Sequence, residues 1–122
     1  MSSQRVLAVD DSPSMRQMVS FALKSAGFDV AEAEDGVVAL GKAKTEKFAC
    51  VVADVNMPNM DGIALIRALR QLPDYRFTPL LMLTTEAGVD KKQEGKAAGA
   101  TGWIVKPFDP DQLVATVRKV LG

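Results

Sequence analysis

Five short apolar runs punctuate the chain: Val6 to Val9, Phe28 to Ala33, Ala49 to Ala53, Leu80 to Leu83 and Trp103 to Val105. Each is rich in β-favouring residues and each is followed by a stretch with helical spacing. The first helix opens at Ser12-Pro13, with Ser12 as N-cap and Pro13 at N1. It lines up Met15, Met18, Val19, Ala22 and Leu23 on one face and stops at Gly27. Phe21 lies off that apolar stripe and is expected to be partly exposed. Later helices are predicted over Gly36 to Thr45, Gly62 to Gln71, Val89 to Ala98 ending at Gly99, and Pro110 to Leu121 with Asp109 as N-cap. Strict alternation of strands and helices requires crossover connections, hence a parallel sheet covered on both faces. The runs around Val6, Val51 and Leu81 are apolar throughout, as central strands of such a sheet should be. The expected architecture is a doubly wound α/β fold of five strands in the order 2-1-3-4-5 with five helices, forming one domain over residues 1–122. Folds of this kind hold ligands outside the carboxyl ends of the strands.

Composition narrows the function. Lys plus Arg and Asp plus Glu both number 15, so no overall positive field favours a nucleic acid or an anionic membrane. Cys50 is the only cysteine, which excludes an internal disulfide; within its apolar run it reads as a small buried hydrophobe. The beginning of the chain shows no signal-peptide stretch and no run reaches membrane-spanning length, so a soluble cytoplasmic protein is expected, and a monomer is the expected state. Histidine is absent, which removes the serine-hydrolase triad and most zinc chemistry. Carboxylates, hydroxyls and lysine must carry any chemistry.

Those groups gather where the predicted fold places ligands. Strand one ends in Asp10-Asp11, strand three in Asp54, strand four in Thr84-Thr85 and strand five in Lys106-Pro107. Three carboxylates in one crevice raise each other's pKa unless a cation holds them ionised. An all-oxygen ligand set selects magnesium, calcium or manganese, and few protein ligands with room for water favour magnesium. Lys106 adds a second positive charge suited to an anion beside the metal. A carboxylate so placed can act as nucleophile toward phosphorus, and Asp54, between Val51-Val52-Ala53 and Asn56-Met57-Pro58, is the candidate. A lone strand-end Asp is ordinarily a turn former, and Thr84 alone an ordinary strand residue; the combination carries the weight. Gly62 and Gly99 read as backbone punctuation and Met82 as core filler.

The segments Val-Asp-Asp-Ser at 9–12, Asp-Val-Asn-Met-Pro-Asn-Met-Asp-Gly at 54–62, Leu-Thr-Thr-Glu at 83–86 and Lys-Pro-Phe at 106–108 resemble those of response-regulator receiver domains. The resemblance covers essentially the whole chain and is to the stand-alone chemotaxis, CheY-like type. It implies that a partner histidine kinase phosphorylates Asp54, that Asp11, Asp54 and the backbone carbonyl of Asn56 hold Mg2+ with Asp10 helping through water, and that Lys106 pairs with the phosphoryl oxygens. It further implies that the Thr84 hydroxyl engages the attached group and that an aromatic residue at 103 then turns inward, a two-state element biased by local charge. Asn56 and Glu86 would influence hydrolysis, and Lys106-Pro107 is expected to be cis. Trp103 stands where the family usually has Tyr or Phe, and β-branched Thr85 where it usually has a small residue, so the coupling to the surface is a point of departure.

With no attached output domain expected, the output is regulated protein binding by the α4-β5-α5 face, which would present Lys91, Lys92, Lys96, Trp103 and Lys119. The expected target is a flagellar motor switch protein, with a phosphatase as a further partner and Phe21 as a candidate kinase contact. A phosphate sink or a non-motile signalling receiver is the alternative output. Two other classes share the architecture. An aspartyl-nucleophile phosphohydrolase usually carries its nucleophile at the end of strand one with a second Asp two residues on, whereas here Asp10 is followed by Asp11 and Ser12. A flavodoxin-like electron carrier would present donors to a cofactor phosphate, which Asp10-Asp11 would repel. The chain is thus expected to be a phosphoacceptor and not an enzyme with separate substrates.

Overall fold

The structure, a computed structural model, describes residues 4–55, 57, 59–84 and 89–122, with backbone alone for 89–91. Five parallel strands form one sheet in the order β2-β1-β3-β4-β5: β1 Arg5–Val9, β2 Asp29–Ala33, β3 Cys50–Asp54, β4 Leu80–Thr84 and β5 Gly102–Val105. Between and after them run α1 Pro13–Ser25, α2 Gly36–Thr45, α3 Gly62–Arg70, α4 Val89–Ala98 and α5 Pro110–Leu121. The fold and strand order are those expected from the sequence. Boundaries differ by a residue: β1 begins at Arg5, β2 at Asp29, β3 at Cys50 and β5 at Gly102, and α3 ends at Arg70. A short 3-10 helix, Pro73–Tyr75, was not anticipated.

The central strands are apolar throughout because their alternate side chains feed two different cores. Leu7, Val9, Val51, Ala53, Leu80 and Met82 enter one core with Leu65, Ile66 and Leu69 of α3 and Ala39 of α2. Val6, Ala8, Val52, Leu81 and Leu83 enter the other with Leu23 of α1 and Leu113 and Val117 of α5. A one-residue slip in any of these strands would exchange the two sets, so both cores specify the register. Local caps fix the helix starts: the side chains of Ser12, Asp35, Asp61 and Asp109 accept from Met15, Val38, Ala64 and Asp111 N–H groups respectively. Cys50 is fully buried, and burial pushes its thiol up to about 12, which keeps it inert. Among the described residues, no helix is long and apolar enough to cross a membrane.

Two polar side chains stitch the connections below the sheet. The buried Tyr75 hydroxyl accepts from the Phe48 N–H at 3.2 Å and donates toward the Glu46 carbonyl at 2.8 Å. Arg70 donates to the carbonyls of Gly99, Tyr75 and Thr78. Ser20 is the opposite case: its hydroxyl is buried in α1 with no hydrogen-bond partner among the described residues. Ser20→Ala is therefore expected to leave stability unchanged or raise it by up to about 1 kcal/mol, read as the urea midpoint, since an unsatisfied group is removed and helix propensity improves. A loss larger than that would show that the hydroxyl is satisfied in solution.

Candidate functional site

Parallel register brings the chemical groups to one edge. Val9 pairs with Ala53, so the next residues, Asp10 and Asp54, lie side by side where β1 and β3 end. Thr84 pairs with Val105, and the Lys106 N–H donates to the Thr84 carbonyl at 2.7 Å, which seats Lys106 just beyond the last rung of β4 and β5. Asp10, Asp11 and Asp54 each offer a carboxylate oxygen within 4.8 Å of the others. Asp10 and Asp54 are buried and Asp11 is exposed, so the cluster opens to solvent on one side. Lys106 Nζ donates to Asp10 Oδ2 at 3.2 Å and to Asp54 Oδ1 at 3.0 Å.

The surrounding backbone is equally constrained. Asp10 Oδ1 accepts from the Ser12 N–H at 2.9 Å, and the Asp10 carbonyl accepts from Arg16 at 2.7 Å, whose Nε also pairs with Glu32. Both Asp10 oxygens are thereby engaged, which suits an outer role toward a cation better than Asp11 or Asp54. Gly62 is more than punctuation. A Cβ there would overlap the Asp54 carbonyl oxygen, so only glycine lets α3 begin this close to the end of β3.

Electrostatics follow from this packing. Burial pushes the Asp54 carboxyl above its ordinary range; the Lys106 bond and charge pull it down, and Asp10 and Asp11 push it further up. Burial opposes the Lys106 charge, yet the hydrogen bond and charge of Asp54, reinforced by Asp10, outweigh it and raise the lysine. An all-oxygen cluster held by a single lysine fits a hard divalent cation, which would neutralise the carboxylates that Lys106 only partly offsets.

The structure thus brings together Asp10, Asp11, Asp54 and Lys106, with Thr84 buried at the end of β4 beside them. The Lys106-Pro107 peptide is cis. Asn56, Thr85 and Glu86 lie outside the described residues, as does the side chain of Lys91. Trp103 is 38% exposed, with Lys92 Nζ 5.2 Å above its ring, and Lys96 and Lys119 are exposed on the neighbouring helices. Phe21 is 74% exposed, as expected from its position off the α1 stripe. Arg16 is the supporting residue that sequence reasoning missed; a charged residue on the first turns of an amphipathic helix looks like any solvated one.

Residues 6–118 match the response regulator receiver domain family, and the chain belongs to it. Among its relatives, the chemotaxis protein CheY of Pseudomonas aeruginosa is 39% identical over 117 residues, covering 95% of this chain and 94% of that protein. The chain also spans 49% and 48% of two longer transcriptional regulators at 38% and 34% identity. The solved structure of chemotaxis protein CheY4 from Vibrio cholerae superposes with a TM-score of 0.95 at 54% identity, covering 98% of this chain and 99% of that one. The receiver domain of the sensor histidine kinase PA1611 from Pseudomonas aeruginosa, 26% identical with a TM-score of 0.92 over 99% of each chain, was solved with magnesium coordinated in its active-site cleft.

Proposed function

We propose that this chain is a chemotaxis-type response regulator of the cytoplasm, a single receiver domain whose Asp54 takes a phosphoryl group from a histidine kinase in a magnesium-dependent reaction. The observation that carries the reading is Lys106 bridging Asp10 and Asp54 beside Asp11 at the carboxyl ends of the strands. An Asp54 carboxylate oxygen attacks phosphorus, the bond to the kinase imidazole nitrogen breaks, and the imidazole leaves as its nitrogen regains a proton. Lys106 then exchanges carboxylate oxygens for phosphoryl oxygens, and Thr84 presents its hydroxyl to the new group. Asp11, Asp54 and the Asn56 carbonyl would hold the magnesium, with Asp10 assisting; when bound, the ion supplies charge neutralisation for both carboxylates and phosphoryl oxygens. The magnesium found in the PA1611 receiver domain supports this ligand class.

The output in this reading is binding by the face of α4, β5 and α5. Trp103 lies partly exposed under Lys92, with Lys96 and Lys119 nearby, so the face suits an acidic or amphipathic segment such as that of a flagellar motor switch protein. The similarity to CheY proteins favours that target over a phosphate sink. The exposed Phe21 suits a kinase contact, and a phosphatase completes the expected partners. Trp103 fluorescence, followed while magnesium and then a small acyl phosphate are added, is expected to change at each step. Absence of phosphate on Asp54 under these conditions would overturn the reading; phosphate without a fluorescence change would overturn only the coupling to Trp103.

A further inference from the structure

The loop that leaves Asp54 is fastened at two places. At its base the Gly62 N–H donates to the Val55 carbonyl at 3.0 Å, and Asp61 caps α3. Near its middle Asn59 adopts a positive φ of 67°, a conformation that Asn tolerates better than most residues. There Asn59 Nδ2 donates to Asp35 Oδ2 at 2.9 Å, and the next residue, Met60, accepts from the Gly36 N–H at 3.2 Å. A Cβ on Gly36 would overlap Met60, so α2 begins directly against this loop.

Asp35 does two things at once. Its Oδ1 accepts from the Val38 N–H at 2.9 Å, the ordinary work of an N-cap, while its Oδ2 holds Asn59. A cap alone needs one oxygen, and Ser12 performs that task at α1 with a hydroxyl. Asp35 is 8% exposed, and hydrogen bonds from Val38 and Asn59 hold its carboxyl below the ordinary carboxylate range. The second oxygen therefore joins the start of α2 to the loop that begins at the phosphoacceptor.

We propose that Asp35 and Asn59 are positioning residues that clamp Asn59 and Met60, on the approach to α3, against the start of α2, so that the neighbouring Asp54 carboxylate cluster is preorganised for its cation. This rests on the phosphoacceptor reading and extends it to residues outside the carboxylate cluster. Freed from the clamp, the loop samples more conformations, and part of the binding energy of the cation goes into ordering it.

Asn59→Gly tests this, because glycine accepts the positive φ while the side-chain bond is lost; the exchanged pair below separates that loss from the greater backbone freedom of glycine. The expected result is a weakening of magnesium affinity by calorimetry of roughly five- to tenfold, with a comparable slowing of phosphoryl uptake from an acyl phosphate. Faster amide exchange at Gly36 should accompany both. The reciprocal exchange Asp35→Asn with Asn59→Asp keeps net charge, a capping oxygen and an amide-to-carboxylate bond of reversed polarity. It is expected to restore magnesium affinity to within about twofold of wild type, a margin of roughly 0.4 kcal/mol. Unchanged affinity and uptake in Asn59→Gly, or no recovery in the exchanged pair, would overturn the proposal, even where the melting temperature falls. A wild-type protein that takes up neither magnesium nor phosphate would instead remove the phosphoacceptor reading on which the proposal rests.

Discussion

Replacing Asp54 by Asn is expected to abolish phosphoryl uptake and, at the same time, to raise the melting temperature of the metal-free protein at neutral pH. The first effect is chemical: an amide keeps the shape and an acceptor for Lys106 but is no nucleophile toward phosphorus. The second follows from burial, which with Asp10 and Asp11 raises the Asp54 carboxyl despite the opposing pull of Lys106. A carboxyl whose pKa is higher folded than unfolded binds its proton more tightly in the native state. Above the unfolded value, ionisation therefore costs stability, and a neutral side chain removes that cost. Magnesium should reverse the ranking. A ligand that binds only the folded state at a hundredfold excess over Kd stabilises it by about 2.7 kcal/mol, and Asp54→Asn should lose most of that gain. Thermal melts in chelator and in magnesium, with phosphate incorporation measured in parallel, check both halves. Incorporation at the wild-type level in Asp54→Asn would mean that the acceptor lies elsewhere, and a lower melting point in chelator would mean that the carboxylate is stabilising.

Arg70→Ala is expected to cause the largest loss of stability away from the site, about 3 kcal/mol, equivalent to a fall in melting temperature of roughly 10 °C. The guanidinium donates to the carbonyls of Gly99 at 2.9 Å, Tyr75 at 2.6 Å and Thr78 at 2.7 Å. It thereby joins the end of α3, the 3-10 helix, the approach to β4 and the end of α4. Burial lowers the Arg70 pKa, so the arrangement carries a desolvation cost that these carbonyls and the Thr101 hydroxyl offset. Truncation leaves those acceptors short of donors. Arg70→Lys should recover less than half the loss, because a single ammonium cannot reproduce the divergent fork of donors. The lesion lies at the end of the sheet away from Asp54, so phosphoryl uptake by the folded fraction should be retained. A urea-unfolding loss below about 1 kcal/mol would show that water replaces the guanidinium at little cost.

Much of the fold and the heart of the candidate site were legible in the sequence because both are written in local signals. Five apolar runs alternating with capped helices allow few arrangements, and Asp10, Asp11, Asp54, Thr84 and Lys106 all stand at the ends of those runs. Parallel register then makes residues at strand ends neighbours whatever the intervening length. The cap residues Ser12 and Asp109 and the exposure of Phe21 were equally readable, since each depends on residues within a turn or two.

The supporting contacts were not legible. Arg70, Tyr75 and Arg16 act by donating to backbone carbonyls five to twenty-nine positions away, and Asn59 reaches Asp35 across twenty-four. A carbonyl is the same group in every residue, so its partner leaves no mark on the sequence around it. Gly62 and Gly36 likewise look like ordinary glycines until the chain that fills their missing Cβ space is in place. The sequence by itself determined which groups gather at the carboxyl edge, because periodicity and capping are local physics. Only the tertiary structure decided how that edge is braced, because bracing consists of long-range bonds between generic backbone groups and side chains with no local preference for each other.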